Sequence, residues 1–307
     1  MATTTSITTT YAGESAGQYI AAALLSADTI DKGLITIKPN IKFKEVIKKA
    51  AMDDILKDGT CDFSATSTLT LTERVLQPET FQVNLNLCKA DFRSDWQAVE
   101  MGYSAYDELP SSFADFLIAE VAAKVAAANE HSIWQGANAT AGEFDGFTVL
   151  FAADSDVVDV TGTTVTASNV ITEMGKVVDA IPATLYGKED LTLYVAPNVA
   201  RAYVRALGGF AATIGANGVD NKGTQWFAGQ ELSFDGVRVA MVSGMPSNDM
   251  VAAQSSNLYF GTGLLNDSQE VKILDMGDLD GSQNVRVIMR MTAGIQYGIG
   301  AEIVYYT

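Results

Sequence analysis

The sequence predicts a mixed α+β fold, and three observations predict it. Apolar residues recur at helical spacing in two central stretches, 112–129 and after Ser168, while nearly everything beyond Phe234 reads as strand and turn. With 307 residues, 48% of them hydrophobic, the chain can bury a sizeable core as one large domain or two smaller ones.

Residues 2–10 are almost all Thr, Ser, Ala and Ile, with too little apolar surface to hold themselves in place. The rest of the chain or a neighbouring subunit would have to order them. Gly33 to Leu87 is extended and turn-rich. Leu34–Lys38 is expected as extended, Lys44–Ile55 is expected as a short helix, and Thr66–Thr72 and Phe81–Leu87 are expected as strands paired in a hairpin or ribbon. So polar a ribbon has little core of its own and is stable only against another surface.

The first long helix is expected to start at Ser112, whose hydroxyl can cap early N–H groups while Asp115 favours the first turn, and to run to about Asn129. Phe113, Phe116, Leu117, Val121 and Val125 share a face, and the alanines between them allow close approach. His131, the only histidine, is expected at the helix end, and Trp134 as a core or interface aromatic. After Ser168, Val170, Ile171, Met174, Val177, Val178 and Ile181 predict a second helix, which Pro182 ends. Leu191–Val195 is a strand. Asn198 is expected to cap a helix through Val199, Tyr203 and Leu207, followed by a glycine-rich loop at Gly215–Gly218. Strands are then expected at Val237–Val242, Glu270–Leu274, Val285–Arg290 and Ile295–Tyr306. Arg286 and Arg290 have the parity opposite to Val285, Val287 and Met289, which implies a sheet with one wet face.

Charge narrows the function. Net −17, from 37 acids against 20 bases, argues against a protein whose main surface neutralises phosphates. The densest basic run, Lys42–Lys49, is short and is followed at once by Asp53 and Asp54. Enclosing DNA remains compatible, because a neutral or acidic lining lets packed DNA slide. Cys61 and Cys88 match neither a disulfide framework nor a paired ligand motif and are expected to be buried free thiols. No signal peptide and no bilayer-length apolar run are legible, so synthesis in cytosol is expected.

No catalytic constellation assembles. Asp275–Gly281 resembles part of a calcium loop but lacks the distal Glu, and is expected as a solvated turn between strands. Gly261-Thr262-Gly263 lacks the third glycine and the Lys-Ser/Thr pair of phosphate loops. A triad would have to use His131, and nothing around it suggests one. The expectation is a non-enzyme with no metal and no cofactor.

The stretch from Leu191 to Tyr306 contains a strand, an Arg/Tyr helix and a glycine-rich loop. Phe234-Asp235-Gly236-Val237-Arg238-Val239, Ser243-Gly244-Met245-Pro246, Asn257-Leu258-Tyr259-Phe260-Gly261 and an Arg-containing terminal sheet follow. That order resembles the C-terminal half of tailed-bacteriophage major capsid proteins with the HK97-like fold. The resemblance implies an N-terminal arm (1–33), an extended β-hairpin loop (34–88), a peripheral domain with a long spine helix (89–189), an axial domain (190–284) and terminal strands (285–307) returning to the peripheral domain. It implies self-assembly into pentamers and hexamers of an icosahedral virion shell, formed in the host cytoplasm and enclosing double-stranded DNA without sequence-specific binding. Scaffolding, portal and decoration proteins are the implied partners. A fused scaffolding segment is not expected ahead of the arm, and none of the loop lysines is marked as a crosslinking residue.

The alternatives are an encapsulin-like nanocompartment shell, a small-molecule enzyme, and a tail or surface structural protein. Assembly is expected to bury Ile35, Ile37, Leu69, Leu71, Val83 and Leu85 against partners, with Arg201 and Arg205 as candidate interface charges.

Overall fold

The computed structural model describes residues 28–52, 56–59, 61, 65, 68–88, 111–207, 232–263, 271–277 and 281–307. Its helices are α1 (Asp28–Asp31), α2 (Ser111–Gln135), α3 (Phe147–Ala153), α4 (Val170–Asp179) and α5 (Pro197–Leu207). The strands are β1 (Thr36–Lys38), β2 (Glu45–Met52), β3 (Leu69–Leu76), β4 (Glu79–Cys88), β5 (Val158–Val160), β6 (Leu191–Val195), β7 (Leu232–Phe234), β8 (Val237–Met241), β9 (Met250–Gln254), β10 (Leu258–Gly261), β11 (Val271–Asp275), β12 (Asn284–Tyr297) and β13 (Val304–Tyr306).

The main core lies around a six-stranded sheet of order β5-β13-β9-β6-β8-β7. Every residue of β6 and β9 is buried, as expected where both faces of a sheet are covered. On one face Tyr194 meets Trp134 of α2 at 5.4 Å between ring centroids, and its hydroxyl donates to Leu34 O at 2.6 Å. α4 buries Val170, Met174, Val177 and Val178, leaves Ile171 exposed, and packs on β9, β13 and α5. Between β7 and β8, Asp235 (φ 46°) and Gly236 (φ 78°) both take positive φ, as a two-residue type I′ hairpin turn requires.

β12 links this sheet to a second one, of order β1-β10-β12-β11, with β4 along the other side of β12. Val121 of α2 packs there on Val287 and Met289, with Val83, Leu87 and Ile273 around them. Arg286 and Arg290 are exposed while Val285, Val287 and Met289 are buried, so the expected one-sided wetting holds. After Tyr297 the chain turns through the 3-10 segment Gly300–Glu302 into β13, giving two strands where Ile295–Tyr306 was expected as one. The Asn257 side chain fixes that corner, accepting from Gly298 N and Ile299 N and donating to Ile299 O.

Other expectations change. α2 continues past Asn129 through His131 to Gln135, about 38 Å in all, because Glu130, Ser132, Ile133 and Trp134 enter the core. It stops where a Cβ on Gly136 would lie 2.3 Å from Phe144 O. The side chains of its first turns, including the Ser112 cap and Phe113, Phe116 and Leu117, lie outside the described residues. Residues 45–52 are strand, not helix, since pairing with β3 overrides a weak helical pattern. β3 and β4 do not pair with each other. Pro78 follows β3, after which β4 runs antiparallel to β12 from Glu79↔Ala293 to Cys88↔Asn284.

Asn198 does not cap α5, which begins at Pro197. Its side chain instead exchanges hydrogen bonds with Asn248, accepting from the backbone N–H and donating to Oδ1. Cys61 is exposed rather than buried, and Cys88 is half-buried. Residues 1–27 and the glycine-rich loop at 215–218 lie outside the described residues.

Candidate assembly surfaces

The third sheet is the two-stranded ribbon of β2 and β3, which has two unlike faces. Cross-strand partners share a face, so the register Val46↔Val75, Lys48↔Glu73, Ala50↔Leu71 places these six residues together. All six are exposed, with Leu71 at 66% and Leu69, next on this face, at 53%. The result is an apolar stripe crossed by one Lys/Glu pair, with no cover from the described residues. Burying the rest of Val46, Leu69, Leu71 and Val75 is worth about 1 kcal/mol each before ordering is subtracted.

The opposite face turns toward the body. There Ile47, Lys49, Thr72 and Arg74 line a cleft closed by Asp156, Gly298 and Gly300. Arg74 clamps the root of the ribbon: Nη2 meets Asp154 Oδ2 at 2.5 Å, Nε donates to Gly298 O at 3.1 Å, and the guanidinium sits 4.2 Å above the Tyr297 ring. The Tyr297 hydroxyl donates to the same Asp154 oxygen at 2.6 Å. Burial works against ionising Asp154. The hydrogen bonds from Tyr297, Asp156 N–H and Arg74, with the Arg74 charge, outweigh it and hold the carboxyl below the usual range. Lys38 and Glu45 pair one step further along, and Leu76 is fully buried beneath the clamp.

The expected assembly residues divide. Ile35 is buried in the subunit's own core, so no partner is needed to cover it. Val83 already packs under α2, and Leu85, on the same side of β4, is exposed. Ile37, Leu69 and Leu71 are exposed. Arg201 and Arg205 are exposed on α5, Arg201 donating Nε to Pro197 O at 3.2 Å. Reading the sequence missed Val46 and Val75, which join the apolar face, the 70% exposed Phe43 just before β2, and Arg74, a charge that ties the ribbon's root to the body. Their signal was the pairing of 45–52 with 69–76, which a helix assignment at 44–55 hides.

Elsewhere the described ionisable groups find partners within the subunit. Glu173 is buried, and its hydrogen bond from Lys176 prevails over burial, with further bonds from Tyr306 and Thr163, to keep it ionised. The Tyr306 hydroxyl is pushed up to about 12 by burial and by that carboxylate. His131 Nε2 lies 3.7 Å from Glu143, and no group of three or more metal-ligating side chains occurs among the described residues. Among those residues no helix is long and apolar enough to cross a membrane.

No protein-family profile matches this sequence, and no curated protein matches it in sequence. Solved structures do match in fold. A chain from the capsid of the native GTA particle superposes with TM-score 0.60 at 11% identity, covering 94% of this chain and 93% of its own. One from the capsid of cyanophage P-SCSP1u gives 0.58 at 12%, covering 95% and 90%. One from the capsid of Myoviridae phage XM1 gives 0.57 at 13%, covering 91% of each.

Proposed function

We propose that this chain is a major capsid protein, assembling into pentamers and hexamers of an icosahedral shell that encloses double-stranded DNA. The observation that carries this is the ribbon's apolar face, uncovered by the described residues, on a fold shared over nine-tenths of the chain with phage-capsid chains. An isolated two-stranded ribbon is marginal in water, so this one is built to be finished by a neighbour. Ring contacts between identical copies are heterologous, and a thin element reaching sideways suits them.

In this scheme 1–33 is the arm, 34–88 the extended loop, 89–189 the peripheral domain with α2 as its spine, 190–284 the axial domain, and 285–307 the returning strands. Within 34–88 the strands that stand apart from the body sheets are β2 and β3, because β1 pairs with β10 and β4 with β12. Ile37, Leu69, Leu71 and Leu85 take assembly roles, and Arg201 and Arg205 lie at capsomer contacts. Scaffolding, portal and decoration proteins complete a virion assembled in host cytoplasm.

The test is electron microscopy of the expressed chain with its co-expressed assembly partners, beside Leu69→Ser/Leu71→Ser. Closed shells from wild type, and folded but unassembled subunits from the variant, are expected. Shells from the variant with unchanged yield and stability would remove the ribbon from the mechanism, and shells filled with protein rather than nucleic acid would indicate a nanocompartment.

A further inference from the structure

The second sheet has a face that α2 does not cover. The register sets Gln82 opposite Arg290, Asn84 opposite Ile288, and Asn86 opposite Arg286 on β4 and β12, while Lys272 of β11 faces Ile288 from the other side. All of these but the half-buried Ile288 are exposed. Among the described residues no Asp or Glu lies on this face of β4, β12 and β11, in a chain whose net charge is −17. Arg286 and Arg290 are about 13 Å apart along the strand, and Lys272, midway on the adjacent strand, is roughly 8 Å from each.

We propose that this face binds the phosphate backbone of duplex nucleic acid. It rests on the shell assignment for its biological setting, naming the surface that would touch the enclosed polyanion. The chemistry fits that occupant: three cations and three amide donors are spread over one face of the sheet, and phosphate oxygens accept from all of them. Binding is therefore non-specific and electrostatic. The patch is invisible in sequence because strand pairing, not chain order, brings 272, 286 and 290 together.

The test is duplex binding by the purified full-length chain, kept too dilute to assemble, with a short mixed-sequence duplex as probe. Three phosphate contacts predict an affinity loss of about 40-fold between 50 and 200 mM salt. Lys272→Gln/Arg286→Gln/Arg290→Gln should abolish both binding and its salt dependence. A control removing the same charge elsewhere, Lys44→Gln/Lys124→Gln/Lys188→Gln, should keep both. No binding by wild type, or equal binding by the two triple variants, overturns the proposal. So does a sheet variant that binds duplex normally but loses association between copies, since that gives the face to a protein partner. Shell formation by the same variants, read by microscopy, reports separately on the shell assignment.

Discussion

The six-stranded sheet and the β2–β3 ribbon are built from similar apolar residues and differ in what covers them. In the sheet, β6 and β9 are buried along their whole length between helices, and the tyrosine hydroxyls of β13 find carboxylate and carbonyl partners inside the same subunit. In the ribbon, Leu69 and Leu71 are more than half exposed, and contact with the body is concentrated at the Arg74 root. The first region stabilises the subunit, whereas the proposed function assigns the second to contacts between copies. Substitutions should therefore separate the two: core changes lower subunit stability, and ribbon changes leave it alone while removing shells.

The largest effect on the subunit is expected at Leu193, fully buried in β6. Leu193→Ala should cost about 2–5 kcal/mol in denaturant unfolding, and a loss below 1 would mean the sheet is not the core it resembles. Tyr306→Phe removes a donor from buried Glu173 and should cost about 1–3 kcal/mol, read in the same way. Arg74→Ala should cost only about 1 kcal/mol, because the pair is partly solvated. Its main effect is faster hydrogen exchange across 45–52 and 69–76, with exchange in β6 and β9 unchanged. Leu71→Ser should shift subunit stability by less than about 0.5 kcal/mol, which would fail if the ribbon were packed on its own subunit.

Acid sharpens the same contrast. Asp154 and Glu173 are both held below their ordinary values of 3.8 and 4.5. The stability they contribute is present above those values and lost as pH falls through the lower folded ones. Protection of the ribbon amides, taken relative to their intrinsic exchange rate at each pH, should fall on acidification in wild type and should already be lowered, and flatter with pH, in Asp154→Asn.

Much of the body was legible in sequence where local pattern and packing agree. Leu191–Val195 is a mostly apolar, β-branched and aromatic run, Val170 to Val178 holds its helical period, and the Arg286/Arg290 parity points to the wet face without any knowledge of pairing. Legibility failed where long-range partners decide. Residues 45–52 have no strong period, and their strand state comes from β3, about twenty-five residues on. Phe81–Leu87 has the alternation of a strand, but nothing local reveals that β12, two hundred residues away, is its partner. Asn198 looked like a cap because Asn commonly is one, and Asn248 competes for it in three dimensions. Of the exposed apolar face, alternation pointed to Leu69 and Leu71, but buried Ile35 shows that alternation cannot tell a subunit core from a surface.

The most direct measurement is an electron-microscopy reconstruction of the assembled particle at a resolution that counts subunits per ring and traces residues 45–76. Closed shells of pentamers and hexamers, with Val46, Leu69, Leu71 and Val75 covered by an adjacent subunit, are predicted. A monodisperse monomer at high concentration even with assembly partners present, or a shell in which those four residues still face solvent, would contradict the assignment of the ribbon as the element that joins one copy to the next.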